Sequence, residues 1–441
     1  MWVTIAPEAG GAPVPVQLLH RTSAARARRL KSRRFCTNYG ILSTAHFLPP
    51  RRSTRKSPGS TVRIPGGFAT VATLTDLQDH PAWQSALRDQ CKDHRFYELI
   101  GTTLTETFDY FFIVLEDEQQ QVRAIQPFFF VRQNLTEGLA GRARAAVDRI
   151  RRKYPRFLTM KTLMVGCSAG EGHLACAPED AAWVADALHS CLKAFARRSH
   201  APLVVLKDFP SRYRQPLGSF SRNGYTRVAS MPMTRLSLHH ENFEEYLASL
   251  GKATRKNLRR KFRQTAQHAP IACKVLTDVS DVIDELYPLY LQVHERSKLH
   301  FEKLTPEYFS GLGREMPERT RFFVWRQEGK AIAFSLCLVH DGTIYDEYLG
   351  LDYRVAFDLN LYFYTLRDII TWALEQGLHS YCSTPLNYDP KLHLGCELVP
   401  LDLYVMHTGA LLNPIFRRAL GFLQPTRHDP ILRQFANAHE L

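Results

Sequence analysis

Apolar and polar positions follow two rhythms along this chain, and the same succession of rhythms occurs twice. Residues 109–133, DYFFIVLEDEQQQVRAIQPFFFVRQ, place two apolar runs around a polar turn, which predicts a β-hairpin. KTLMVG (161–166) reads as a strand and CSAGEGHLACAPED as a glycine-rich loop. Residues 180–198 switch to the helical period, with Trp183, Val184, Ala187, Leu188, Cys191, Leu192 and Phe195 on one side. APLVVLKDFP (201–210) is a buried strand, and YTRVASMPMTRLSL (225–238) is a last one. The order then recurs. Residues 321–342 form a hairpin turning at Glu328-Gly329, 343–352 a strand and 353–360 a loop. A helix over 361–376 follows, closed by Gly377, then the strand HSYCSTP and the final strand ELVPLDLYV. The strand after each helix ends in proline, Pro210 and Pro385. The pattern predicts two α/β lobes, 69–239 and 240–410, each a mixed sheet flanked by helices, and then a helical tail over 411–441.

Between the lobes lies a basic helix over 252–266. From Lys252 to Arg263, seven of twelve residues are Lys or Arg. Lys252, Lys256, Arg259 and Arg263 fall on one face, Leu258 and Phe262 on another. The helix is expected to dock by one side and offer a cationic stripe on the other. That stripe is either a solvated face or a contact for the phosphates of a nucleotide cofactor, a tRNA or a phosphorylated substrate.

The formal net charge is +14. Residues 1–66 hold twelve Lys/Arg against the single acid Glu8, so the remaining chain carries only +3. This tail, with Pro, Gly and Ser throughout, reads as a disordered extension. It fits anionic-membrane or nucleic-acid contact, an organelle transit peptide, or a plain solvated arm, and gives no ground for a DNA-binding protein. No run approaches the ~18–20 apolar residues of a membrane span. The nine cysteines are scattered without a C-x-x-C pair, and His294-Glu295 is not followed by a histidine at zinc-ligand spacing. No metal site is expected, and the free thiols point to a reducing compartment, the cytoplasm.

SLGKATRKNLRRKF, then EYLGLDYRVAFDLNLYFYTLRDIITWALEQG, then YDPKLHLGCELVPL resemble the FemAB-like branch of the GNAT acyltransferases. MVGCSAGEGHLACAP and LVVLKDFP look like first-lobe strands of peptidoglycan biosynthesis/recognition proteins of that branch, and HERSKLHFEKLTPEYF (294–309) looks like their inter-motif segment. The resemblance covers about residues 70–410. It implies two tandem GNAT-like lobes with substrate held between them. It also implies acyl transfer to an amine on a cell-envelope precursor or a small metabolite, with acyl-CoA as co-substrate and the donor site in the second lobe. An aminoacyl-tRNA-dependent peptide-bridge ligase and a non-catalytic recognition module are the alternatives. Two departures bear on the donor. The loop 353–360 has no glycine where GNAT domains wrap a pyrophosphate, and no segment between 240 and 300 is long enough for the helical arm of the tRNA-dependent ligases.

Amine attack on a thioester needs a proton acceptor, oxyanion donors, a proton for the leaving thiolate and a grip on donor phosphates. Asp346 and Glu347 alternate on the strand 343–352, so one of them is expected to face the site; Asp352 is a third carboxylate at its end. Gly350 suggests a bulge beside Tyr348 for the donor's arm. Tyr353, Arg354 and Asn360 are candidates for the donor's phosphates at the helix start. Tyr388 follows the next strand, where the resemblance to GNAT domains implies a tyrosine that protonates the thiolate. Lys252, Lys256, Lys391 and Asp208 are candidates for substrate binding. The Gly166-x-x-x-Gly170-x-Gly172 loop matches neither a P-loop nor a dinucleotide fingerprint and is expected to shape the cleft between lobes.

Overall fold

The computed structural model describes residues 61–134, 141–154, 159–297, 301–421 and 424–441. Most of the basic tail therefore lies outside the described residues. Thr61–Ile64 is already a strand, so regular structure starts before the expected Ala69.

Fifteen strands run in chain order: β1 (Thr61–Ile64), β2 (Gly67–Ala72), β3 (Asp109–Asp117), β4 (Val122–Asn134), β5 (Thr159–Val165), β6 (Leu203–Pro210), β7 (Thr226–Ala229), β8 (Met233–Ser237), β9 (Ile271–Leu276), β10 (Thr320–Gln327), β11 (Lys330–His340), β12 (Thr343–Leu351), β13 (Ser380–Ser383), β14 (Glu397–Val399) and β15 (Leu401–His407). They build two mixed sheets. The first has eight strands in the order β1-β2-β3-β4-β5-β6-β15-β7, the second seven in the order β14-β8-β13-β12-β11-β10-β9. In each sheet the one parallel pair among the described residues, β5/β6 and β12/β13, brackets a helix, Ala181–Arg198 or Leu361–Glu375.

The two final strands do not stay in their own lobes. Residues 225–238 break near Pro232, and β8 inserts between β13 and β14 of the second sheet. Residues 397–407 break at Pro400, and β15 inserts between β6 and β7 of the first. Proline has no N–H for a ladder and ends one pairing, which frees the chain to cross. The lobe limits 69–239 and 240–410 are corrected accordingly: 233–237 belongs to the second sheet and 401–407 to the first.

The core follows this exchange. One apolar layer joins both lobes, taking Phe112, Met164 and Val205 from the first sheet and Phe322, Leu336 and Tyr348 from the second. Helices His94–Thr103, Ile283–Arg296 and Pro306–Glu315 fill it. The far face of the first sheet is covered by Ala181–Arg198, that of the second by Leu361–Glu375 and by the basic helix Lys252–Thr265. The basic helix docks through Leu258 and Phe262, the side its spacing predicted.

Candidate functional site

In the parallel pair β12/β13 the register runs from Thr343↔Ser380 to Asp346↔Ser383 and stops there. Beyond it the two chains part, and a cavity of about 530 Å³ opens between them. It is lined by Asp346–Leu349 on one side and Ser383–Asn387 on the other, with Val293, Tyr362 and Lys391 completing the wall. Its mouth meets a second cavity of about 620 Å³ between the lobes. Glu347, Tyr348, Thr384 and Pro385 line both.

Glu347 owes its position to a bulge. Leu336 pairs with Tyr348 and Cys337 with Asp346, so Glu347 is an extra residue opposite none. The strict alternation expected of this strand is thus broken at Glu347, and the bulge is here rather than at Gly350. Glu347 and its neighbour Tyr348 both reach the junction of the cavities. Glu347 Oε2 accepts from Lys92 Nζ at 2.9 Å, and Lys92 also donates to the Ala169 carbonyl at 2.6 Å. Both side chains are buried. Burial works against the Lys92 ammonium, yet the Glu347 carboxylate beside it raises its pKa above the usual lysine value. Asp346, which lines the gap only, accepts from the hydroxyls of Ser335 and Tyr381. Burial raises its pKa above the ordinary carboxylate value.

The first lobe supplies the opposite wall through the glycine-rich loop. Gln126 clamps that loop: its Nε2 donates to the His173 carbonyl, and its Oε1 accepts from the Ala175 amide. Gly170 has φ +137°, and a Cβ there would lie 2.3 Å from Lys92 Nζ, so the approach of Lys92 requires glycine. Asp208 closes this wall in the left-handed region (φ 56°), bonded to Lys207 Nζ at 2.6 Å and to the Ser230 hydroxyl. Glu171 sits 3.3 Å from His173 Nε2, and His173 Nδ1 contacts Arg212 at 3.0 Å. Although burial opposes its charge, His173 and Arg212 hold the Glu171 carboxyl below the usual range.

Lys391 is the other distinctive group. It is buried on the short helix Tyr388–His393, and its Nζ donates to the Thr384 carbonyl at 2.5 Å, at the edge of the β12/β13 gap. Burial pushes its pKa down from 10.5 to about 8. Among the sequence candidates, the structure gathers Glu347, Tyr348, Asp208, Asp346 and Lys391 at the two cavities.

The remaining candidates lie apart. Gly350 packs under helix Ile283–Arg296, where a Cβ would meet the Tyr290 amide nitrogen at 2.9 Å. Asp352 and Arg354 are a local ion pair at 2.6 Å in the turn after β12. The guanidinium holds that carboxyl below its usual range. The Tyr353 ring lies under Arg296 at 4.0 Å. Asn360, in the left-handed region, accepts from Lys261 Nζ at 3.2 Å at the start of helix Leu361–Glu375. Tyr388 is buried with its hydroxyl on the Pro232 carbonyl at 2.8 Å and does not line the gap. Lys252 and Lys256 are exposed on the outer side of their helix.

Lys92, Glu171, His173 and Lys261 are absent from the sequence-level candidates. Lys92 and Glu347 are 255 residues apart, and no spacing signal connects them. Lys261 belongs to the basic run but not to its predicted stripe.

Residues 252–391 match the family model of the acetyltransferase (GNAT) domain. No curated protein sequence matches the chain significantly. Among solved structures, FemX is 11% identical with a TM-score of 0.45, over 71% of this chain and 92% of that one. L-PGS from Bacillus licheniformis is 13% identical with a TM-score of 0.42, over 70% and 89%. A tandem GNAT protein from the clavulanic acid biosynthesis pathway is 10% identical with a TM-score of 0.38, over 77% and 99%. The matched stretch contains the β12/β13 gap, Glu347 and Lys391.

Proposed function

From a chain whose residues 252–391 match the GNAT domain, we propose an N-acyltransferase that moves an acyl group from a thioester donor, acyl-CoA, to an amine held between the lobes. The observation that carries this reading is the junction at Glu347. A gap between parallel strands opens there directly onto a cleft walled by charged side chains of the other lobe. A thioester laid in the gap would meet an amine laid in the cleft.

In the reaction a C–N bond forms and a C–S bond breaks. The edge of β12 that faces β13 loses its ladder partner after Asp346, so its amides are available to the thioester oxygen. Glu347 accepts the proton from the attacking amine. Lys391, with its ammonium depressed to about 8, returns a proton to the departing thiolate and recovers one from solvent. Lys261 and the first turn of Leu361–Glu375 face the donor's phosphates, in place of the missing glycine turn. Lys92 and Asp208 position the acceptor. The acceptor class proposed is an amine of a cell-envelope precursor or a small metabolite.

The test is thiol release from acyl-CoA in the presence of an amine panel. Glu347→Gln is expected to lower kcat by about 10²–10⁴-fold with little change in the donor's KM. Unchanged kcat removes Glu347 from the mechanism. Thermal stabilisation by charged tRNA but by no CoA thioester would replace the reading with the aminoacyl-tRNA-dependent one.

A further inference from the structure

The large apolar side chains that the fold leaves exposed are not scattered. Six are found among the described residues: Ile150, Tyr154, Phe357, Leu411, Leu412 and Ile415. All but Phe357 emerge at one end of the first sheet. Asn134 pairs with Thr159, Thr162 with Leu203, and Leu203 with His407. The end of β4, the starts of β5 and β6 and the end of β15 therefore leave the sheet on the same side. With neighbouring strands about 4.8 Å apart, those exits span about 15 Å.

Three segments are carried there: helix Gly141–Lys153 with Tyr154, the end of helix Ala181–Arg198, and 408–420 with helix Asn413–Leu420. Arg197 donates to the Thr408 carbonyl and Lys161 to the Ser199 carbonyl, which ties the end of helix Ala181–Arg198 to 408–420 and to β5. Phe416 anchors the last helix, stacked on His407 at 5.0 Å, and so turns Leu411 (88% exposed) and Ile415 (62%) outward.

Charge identifies the occupant. Residues 145–154, 197–200 and 408–420 together contain eight arginines and lysines and one acid, Asp148. Apolar side chains that protrude singly among cations suit an interface of acyl chains beneath anionic headgroups. A protein partner or a second copy would be expected to offer a continuous apolar patch and paired charges.

We propose that this end of the first lobe is a peripheral docking surface for anionic membranes. The cleft opens toward the other end of the same strands, at Asp208 and Leu401, about 17–20 Å away along β6 and β15. Docking thus tethers the protein with its cleft toward the aqueous side, whatever the cleft transforms.

The test is co-sedimentation of the full chain with vesicles of 3:1 phosphatidylcholine:phosphatidylglycerol and of phosphatidylcholine alone. Wild type is expected to bind the mixed vesicles and to lose binding in high salt. The double variant Leu411→Asp/Ile415→Asp should bind about tenfold more weakly or less, and Arg417→Glu/Arg418→Glu likewise. Both pairs are exposed, and a native circular dichroism spectrum confirms folding. Equal binding by wild type and variants, equal binding to neutral vesicles, or a dimer abolished by Leu411→Asp without any vesicle binding would each overturn the proposal. Thiol release read on the same variants stays unchanged, which keeps this outcome separate from that of the acyltransferase reading.

Discussion

Lys391→Met is the most discriminating substitution, because its effects on stability and on turnover should have opposite signs. In the folded protein Lys391 titrates near 8 against an ordinary 10.5, burial being the cause. A depressed lysine means that the folded chain binds fewer protons than the unfolded one between those pH values. Stability then rises with pH across that window. At about 1.4 kcal/mol per pH unit, the buried ammonium destabilises the fold by roughly 3 kcal/mol at pH 7 and by about 1 kcal/mol at pH 9.5. Methionine fills similar space without charge and removes that term, while giving up the bond to the Thr384 carbonyl, worth about 1 kcal/mol. Denaturant unfolding at the two pH values reads the result. Relative to wild type, the variant should be more stable at pH 7, and its advantage should shrink by about 2 kcal/mol by pH 9.5. Thiol release should fall by about 10²-fold or more, as expected for loss of a proton donor. A variant whose stability difference from wild type is the same at both pH values would refute the depressed titration. A variant with full turnover would refute the proton-donor role.

Two further outcomes follow from the cleft and its surroundings. Lys92→Met leaves the buried Glu347 carboxylate without its partner and should destabilise by about 3–5 kcal/mol, whereas Lys92→Met combined with Glu347→Leu should recover most of that loss; paired urea titrations compare them, and an equally unstable double variant would discount the ion pair. Tyr388→Phe removes only a hydrogen bond to the Pro232 carbonyl, so it should cost about 1 kcal/mol in the same titration and leave turnover intact; a large loss of turnover would return Tyr388 to the donor slot.

The periodicities alone determined much of this protein. Apolar alternation located both hairpins, and the 3.6-residue period located helices Ala181–Arg198, Lys252–Thr265 and Leu361–Glu375 within a few residues. These signals are local because each records one element burying one face. The repeat of their order marked two lobes, and the carboxylates of 346–352 marked the strand that carries Glu347.

Tertiary structure decided the rest, because it depends on partners far apart in the chain. Residues 225–238 and ELVPLDLYV each read along the chain as one strand, so neither the break at its proline nor the exchange of β8 and β15 between sheets was legible; the exchange follows from which open edge each meets. The bulge at Glu347 has no periodic trace, since it exists only relative to the register of β11. The Lys92–Glu347 pair spans 255 residues and both lobes, and the glycine at 170 is there to admit it. A motif read along the chain placed Tyr388 and Arg354 at the chemistry, whereas packing turned the first into the core and tied the second to Asp352. Glu347 and Lys391 were visible as residue types; their meeting at one gap between strands was fixed only by the fold.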